Sequence, residues 1–522
     1  MSYKSLPELF NKVPVQPNNS IPEIDINGIT QDSRKVKEGN LFIAIKGGTT
    51  DGHKFLNDAF QRGAAAVIGS DPEYKSLPLY VQVDDSRKAL AYLSSAFYDF
   101  PSKNLLMIGI TGTDGKTTTA NLIFEILAYS GIKTGLVSTI QAVIGDKTLD
   151  TGFHVTTPGA DEIQRYLARM VENDIKTVII EVTSHGLEQG RVTACDFDIG
   201  VITNVAHEHL DYHGTYEAYL AAKGKLIKNL RSSAKKLLAT PRAAVLNMDD
   251  RSYQFMSNIA GTDQISYGFD PSANINASNV KITEQGTTFI CNGININGDK
   301  FSIPIKLNLL GAFNVSNCLA AISVTKALIG LRDNQIQNGI EELRLVPGRM
   351  ERIDMGQDFT AMVDFAHTPN ALKNALKLLR TIVKGRIISI FGSAGLRDKE
   401  KRRMMAEISA DMSAITILTA EDPRIESLDE ILAEMADGVI SRSGIEGKTF
   451  WRIPDRGDAI RFGIGLAIPG DLVVAFGKGH EQSMCFGETE YAWDDRIAMK
   501  AAIAEHLGIS GPKMPYLPTQ KR

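Results

Sequence analysis

Cysteine is scarce in this chain, and the four present, Cys195, Cys291, Cys318 and Cys485, are scattered with no Cys-x-x-Cys pair. That spacing provides neither a disulfide framework nor a thiolate cage, so the four read as free thiols in a reducing cytoplasm. No stretch reaches the roughly 18 uninterrupted apolar residues that a membrane span needs. The start, residues 1–10, carries acid and proline where a secretory leader would be apolar, so neither export nor membrane insertion is expected. Charge of one sign is missing too. Fifty-seven Lys and Arg stand against 61 Asp and Glu, a net charge of -4, and without a long basic run nucleic acid is not expected as a partner. Low-complexity tracts and short repeats are absent, which excludes a solenoid.

What the chain does have is length and alternation. At 522 residues it exceeds a single core, and about three domains follow from ordinary domain sizes. A small α/β domain is expected over 1–100, with a short apolar strand at 41–45 and the polar run Asp-Ser-Arg-Lys at 32–35, whose Ser33, Arg34 and Lys35 could grip a diphosphate. Over 101–345, apolar runs at 177–182 and 199–204 alternate with helical patterns, which argues a mostly parallel sheet covered on both faces. Residues 281–290, with turn signals at Asn292-Gly293 and Asn297-Gly298, predict antiparallel hairpins appended to that sheet, and a helix over 314–329 should end at Gly330. A Rossmann-like α/β domain is expected over 346–522, with strands at 360–365, 386–391, 414–418 and 471–476. Ligands collect beyond the carboxyl ends of such strands, so Asp364, Arg397, Glu421, Asp422 and Lys478 are expected to face one cleft.

The most informative stretch is Met-Ile-Gly-Ile-Thr-Gly-Thr-Asp-Gly-Lys-Thr-Thr-Thr at 107–119, an apolar strand running through a glycine-rich turn into a helix. Glycines let successive N–H groups point inward around phosphates, Lys116 reaches the outer ones, and the Thr117 hydroxyl is placed for Mg²⁺. ATP is the expected nucleotide. Position 110 is Ile where the generic phosphate loop has Gly. Glu181 closes one apolar run, and a second is followed by Asn-Val-Ala-His-Glu-His-Leu-Asp-Tyr-His at 204–213. A carboxylate and imidazoles at neighbouring strand ends suit a divalent cation beside a nucleotide; magnesium fits better than zinc, because no thiolate accompanies them.

These spacings resemble the MurE branch of the Mur ligase family. Glu-Val-Thr-Ser-His-Gly-Leu-Glu-Gln-Gly-Arg at 181–191 and His-Glu-His-Leu-Asp-Tyr-His at 207–213 are similar to its signature. So are Thr-Thr-Pro at 156–158, Ala-Ala-Lys at 221–223, Gly-Ala-Phe-Asn-Val-Ser-Asn at 311–317, Pro-Gly-Arg-Met-Glu at 347–351, Val-Asp-Phe-Ala-His-Thr-Pro at 363–369 and Gly-Lys-Gly-His-Glu at 477–481, in order along nearly the whole chain. The resemblance implies an ATP-dependent ligase that joins a diamino acid to UDP-N-acetylmuramoyl-L-alanyl-D-glutamate through an acyl phosphate, acting as a monomer in peptidoglycan precursor synthesis. It implies that Gly112, Thr113, Asp114, Gly115, Lys116, Thr117 and Thr118 cradle the phosphates, and that Asn314, Arg349 and Asp364 hold the rest of the nucleotide. Glu181 and His209 would ligate magnesium with Thr117, and Lys223 would carry a carbamate bridging a second metal. Ser33 would contact the uridine nucleotide, and Thr156, Thr157, Ser184, Gln189 and Arg191 the muramoyl dipeptide.

Arg397, Glu421, Asp422, Arg424, Gly477 and Glu481 would then form the amino-acid site, with Glu481 on the α-amino group. Diaminopimelate-adding relatives typically show Asp-Asn-Pro-Arg where this chain has Glu-Asp-Pro-Arg at 421–424. The extra negative charge is expected to favour a cationic side chain, which keeps lysine and ornithine beside meso-diaminopimelate. Leu396 also replaces an acid. A folylpolyglutamate-type or dipeptide-adding ligase, or an ATP-binding regulatory paralogue that does not ligate, stand as the alternatives.

Overall fold

The computed structural model describes residues 3–48, 50–149, 156–206, 210–231, 236, 241–283 and 285–520. Its frame is three sheets. The first has the parallel order Gly28–Thr30, Asn40–Ile43, Ala66–Gly69, Tyr80–Gln82. The apolar run starting at Leu41 forms its second strand, as expected.

The second sheet has eleven strands. Its parallel core runs Thr134–Val137, Thr177–Glu181, Leu106–Thr111, Ile199–Ile202, Ala243–Asn247, Asp263–Gly268, Ile275–Thr283. Continuous apolar strands are needed here because both faces are covered. Ile108, Ile110 and Ile179 pack into one buried cluster with helices Lys116–Tyr129 and Ala312–Ile322, whereas Met107, Val178 and Ile180 pack into another on the opposite face with helices Ala160–Glu172 and Tyr216–Asn229. Antiparallel strands Gly286–Ile294 and Lys300–Leu307 extend one edge. A second antiparallel pair, Ala142–Ile144 and Lys147–Leu149, extends the other, which the sequence pattern did not announce.

One expected turn is a strand instead. Asn292 and Gly293 lie inside Gly286–Ile294, paired with Ser302 and Phe301; the Asn-Gly signal yields to packing, because a Cβ at position 293 would sit 2.5 Å from Ile275 and 2.6 Å from Phe301. Asn297-Gly298 does make the turn, with φ of 89° at Gly298. The expected helix over 314–329 is α-helical for Ala312–Ile322 and continues as a π-helix over Ser323–Leu328, before Gly330 turns left-handed.

The third sheet runs Glu351–Ile353, Thr360–Asp364, Leu472–Phe476, Ile387–Phe391, Ile415–Leu418, Phe450–Arg452, parallel except for its first strand. All four expected strands are present. Buried Arg456 ties the carboxyl end of this sheet together, donating to Ala420 O at 3.1 Å and Phe476 O at 2.7 Å while paired with Asp495. Cys195, Cys291 and Cys318 are buried, Cys485 is half-buried, and all four are free thiols. Among the described residues no helix is long and apolar enough to cross a membrane.

Candidate active site

The loop after Leu106–Thr111 curls at the amino end of helix Lys116–Tyr129. Gly115 caps that helix with φ of 83°, and a Cβ there would fall 2.2 Å from Asn317 Oδ1, so glycine is required by both conformation and space. Asp114 N donates to Asn204 Oδ1 at 3.0 Å, which fastens the loop to the end of the neighbouring strand. Lys116 Nζ donates to Gly112 O at 3.0 Å and Thr113 O at 2.8 Å.

Glu181, fully buried at the carboxyl end of the adjacent strand, accepts from Thr117 Oγ1 and from Thr139 Oγ1, each at 3.0 Å on Oε2. Burial raises its carboxyl above the ordinary value, against the pull of Lys116 and the two hydroxyls. An all-oxygen set of one carboxylate and a hydroxyl beside a phosphate-type loop fits magnesium. The zinc alternative depends on the imidazoles at 207–213, of which His207 and His209 lie outside the described residues.

Next to this centre, Thr157 Oγ1 donates to Glu181 O at 3.1 Å, and Arg191 Nη1 donates to Thr157 O at 2.6 Å. Gln189 Oε1 accepts from Arg191 Nη2 at 2.7 Å, and Ser184 Oγ lies 3.1 Å from His213 Nε2. Lys223 is buried under the loop, its Nζ donating to Gly112 O at 2.7 Å and standing 4.5 Å from the Tyr219 ring centre.

Three cavities adjoin one another here, two of them against the loop. The first, about 400 Å³, is lined by Thr113 to Thr117, Thr156, Thr157 and Arg191 on one side and by Arg349, Arg397, His480 and Glu481 on the other. The second, about 580 Å³, shares Asp114, Gly115, Thr117 and Arg349 with the first and adds Thr118, Asn314 and Asp364. The third, about 810 Å³, shares Arg397 and Glu481 with the first and adds Glu421, Asp422, Arg424 and Gly477. The carboxyl ends of the second and third sheets therefore meet across one gap.

Electrostatics are strong where the lobes meet. Asp364 accepts from Met350 N at 2.7 Å and Ala366 N at 2.9 Å, and burial raises its carboxyl against the field of Arg349. Burial lowers Arg349, whose guanidinium stands 4.2 Å from the Phe365 ring centre. Glu421 is buried with Oε2 unpartnered among the described residues, and its carboxyl is raised by burial. Gly477, φ 107°, leaves room for that oxygen, since a Cβ would lie 2.1 Å from it.

Comparison with known proteins follows this geometry lobe by lobe. The profile described as Mur ligase family, catalytic domain, matches residues 25–98; the Mur ligase middle domain matches 110–325; and the one described as Mur ligase, glutamate ligase domain, matches 348–479. A UDP-N-acetylmuramoyl-L-alanyl-D-glutamate--2,6-diaminopimelate ligase of Geobacillus kaustophilus (strain HTA426) is 39% identical over 482 residues, covering 92% of this chain and 95% of that protein. The chain belongs to the Mur ligase family. A ligase of the same name from Bacillus cereus (strain ATCC 14579) is 39% identical over 97% of this chain and 99% of its own. A solved structure of a UDP-N-acetylmuramoyl-L-alanyl-D-glutamate--2,6-diaminopimelate ligase is 30% identical with a TM-score of 0.64, covering 97% of this chain and all of that one.

In this Mur ligase the residues singled out by sequence mostly converge, with two corrections. Asp364 and Lys478 do not share one cleft with Arg397, Glu421 and Asp422: Asp364 lines the cavity of about 580 Å³, and Lys478 is fully buried and lines none of the three. Nor does the Asp422 carboxylate stand alone: Lys478 Nζ, an ammonium it shares with Glu481, lies 2.9 Å from its Oδ2, and Cys485 N donates to its Oδ1 at 2.8 Å. The side chain at 422 is anchored from beneath. Ser33 lines none of these cavities; it opens a short 3₁₀ turn, Ser33–Lys35, in which Arg34 pairs with Asp32 and Lys35 with Glu162. Sequence reasoning missed Thr139 and His480. Thr139 follows strand Thr134–Val137 in a segment without a motif, while His480 stands inside the Gly-Lys-Gly-His-Glu run, where the charged Glu481 beside it carries the stronger signal.

Proposed function

We propose that this Mur ligase joins diaminopimelate to UDP-N-acetylmuramoyl-L-alanyl-D-glutamate at the expense of ATP, in peptidoglycan precursor synthesis. The observation that carries the reading is the continuity of the three cavities: shared residues lead from the nucleotide side at Asn314 and Asp364, through the phosphate loop and Arg191, to Arg424 and Glu481. A nucleotide, an acceptor carboxylate and an amine fit that sequence of surroundings.

The lobes divide the work as 1–100, 101–345 and 346–522, with Ser33 in the first assigned to the uridine nucleotide. The dipeptide's carboxylate, oriented by Thr156, Thr157, Ser184, Gln189 and Arg191, takes up the γ-phosphoryl group, and the amine then displaces phosphate to form the amide. Lys116 and the N–H groups of Gly112 to Thr118 balance the charge that develops on the phosphates. Magnesium, held by Thr117, Glu181 and His209, would neutralise phosphate charge. Carbamylation of Lys223 would turn a buried cation into an anion able to hold a second metal.

Diaminopimelate is preferred over lysine and ornithine for two reasons. Asp422 is turned to Lys478 rather than left to pair with a cationic side chain, and Arg424 lines the cavity with no carboxylate paired to it among the described residues. The two relatives described above carry that amino acid in their names. Phosphate release by purified protein, measured with meso-diaminopimelate, lysine and ornithine in parallel, tests this; turnover with lysine or ornithine alone overturns the choice of amine. A Lys223→Ala variant is expected to be inactive and partly restored by a short-chain carboxylic acid. Full activity without the acid contradicts the carbamate role.

A further inference from the structure

Beneath the cavity assigned to the amine lies a cation without a role in the reading above. Lys478 follows strand Leu472–Phe476 and is fully buried, its ammonium 2.5 Å from Glu481 Oε2 and 2.9 Å from Asp422 Oδ2. Asp422 is held on every side: its Oδ1 accepts from Cys485 N at 2.8 Å and its carbonyl from Gly395 N at 2.9 Å. Its φ of 42° is left-handed, a conformation a non-glycine residue keeps only when its surroundings enforce it. Segments from three strand ends and from the hairpin Ser483–Phe486 and Thr489–Ala492 thus meet around Asp422 and the ammonium it faces.

A buried ammonium needs counter-charge, and here it has two carboxylates, so the group as a whole carries one negative charge. Both carboxylates also line the third cavity. We propose, resting on the reading of that cavity as the amine site, that Lys478 is a positioning residue that locks Asp422 and Glu481 into a unit of net charge -1. The unit cancels the acid at 422 and leaves a single negative charge for the α-ammonium group of the incoming amino acid.

Counting charge yields the test. Asp422→Asn brings the unit to zero, and the KM for diaminopimelate is expected to rise about tenfold while kcat changes less than about twofold. Lys478→Met leaves two facing carboxylates, and kcat/KM is expected to fall by about a hundredfold together with the melting temperature. Adding Asp422→Asn to Lys478→Met restores a net charge of -1, so the double variant is expected to regain about tenfold in kcat/KM and part of the lost melting temperature. A double variant no better than Lys478→Met overturns the proposal. So does an Asp422→Asn protein whose kcat falls with its diaminopimelate KM unchanged, a result that needs no folded Lys478 variant. If the unaltered protein releases no phosphate with diaminopimelate, the functional reading fails, and the melting temperatures of the four proteins still decide the clamp: recovery in the double variant supports it, absence of recovery overturns it.

Discussion

At the scale of single residues, the centre around Glu181 was legible because its parts belong to motifs: the lysine and threonine of the phosphate loop and an acid closing an apolar strand. Thr139 was not, since its contact with Glu181 spans 42 residues and its flanks carry no spacing signal. Its hydroxyl and that of Thr117 both point at Glu181 Oε2, so Thr139→Val is expected to raise the magnesium concentration needed for half-maximal activity by roughly threefold to tenfold, an effect of one charge-assisted hydrogen bond. A magnesium titration of initial rates measures it. The charge argument at 422 was incomplete for a related reason. Counting acids along a segment cannot reveal that Lys478, 56 residues later, sits under one of them. His480 offers a test of the buried electrostatics. Burial, then Arg349, Arg496, Lys478 and His367, hold its imidazole down to about 3, so the native state keeps it neutral where the unfolded chain takes a proton. That contribution to stability is complete above the unfolded value of about 6.5 and is lost as pH falls toward about 3, at up to about 1.4 kcal/mol per pH unit. A His480→Gln protein is expected to show a flatter fall of melting temperature with acidification than its parent.

At the scale of elements, the parallel strands were readable because burial on both faces demands uninterrupted apolar runs, and the structure returns each of them within a residue or two. Edge strands were harder. Ala142–Ile144 and Lys147–Leu149 are three residues each, the second largely exposed, too short for a pattern. Asn292-Gly293 shows the opposite error, a strong turn signal overruled by what packs around it. Glycines at loop starts carry the more reliable message. Gly477 is left-handed and faces Glu421, so Gly477→Ala combines backbone strain with a clash against a buried carboxylate; a loss of about 1–3 kcal/mol in stability is expected, with a larger fall in affinity for the amino acid than for ATP. Denaturant unfolding and separate KM values check both parts. Substitution at Gly465, where the backbone is not left-handed and a Cβ meets nothing within 4 Å, should leave the amino-acid KM unchanged.

For the whole molecule, the motifs predicted that distant segments share one reaction, but not how they meet. No local pattern fixes the placement of two sheets whose carboxyl ends face each other, because that depends on packing between lobes. The account stands on that meeting: phosphate loop, dipeptide contacts and amine site act on a single phosphoryl and acyl transfer. The most direct test is phosphate release by the purified protein with ATP and magnesium, adding the UDP-N-acetylmuramoyl dipeptide and diaminopimelate singly and together. Sustained release only when both are present, with one amide formed per phosphate, is the predicted result. Equal release with either one missing, or release without amide, would contradict it.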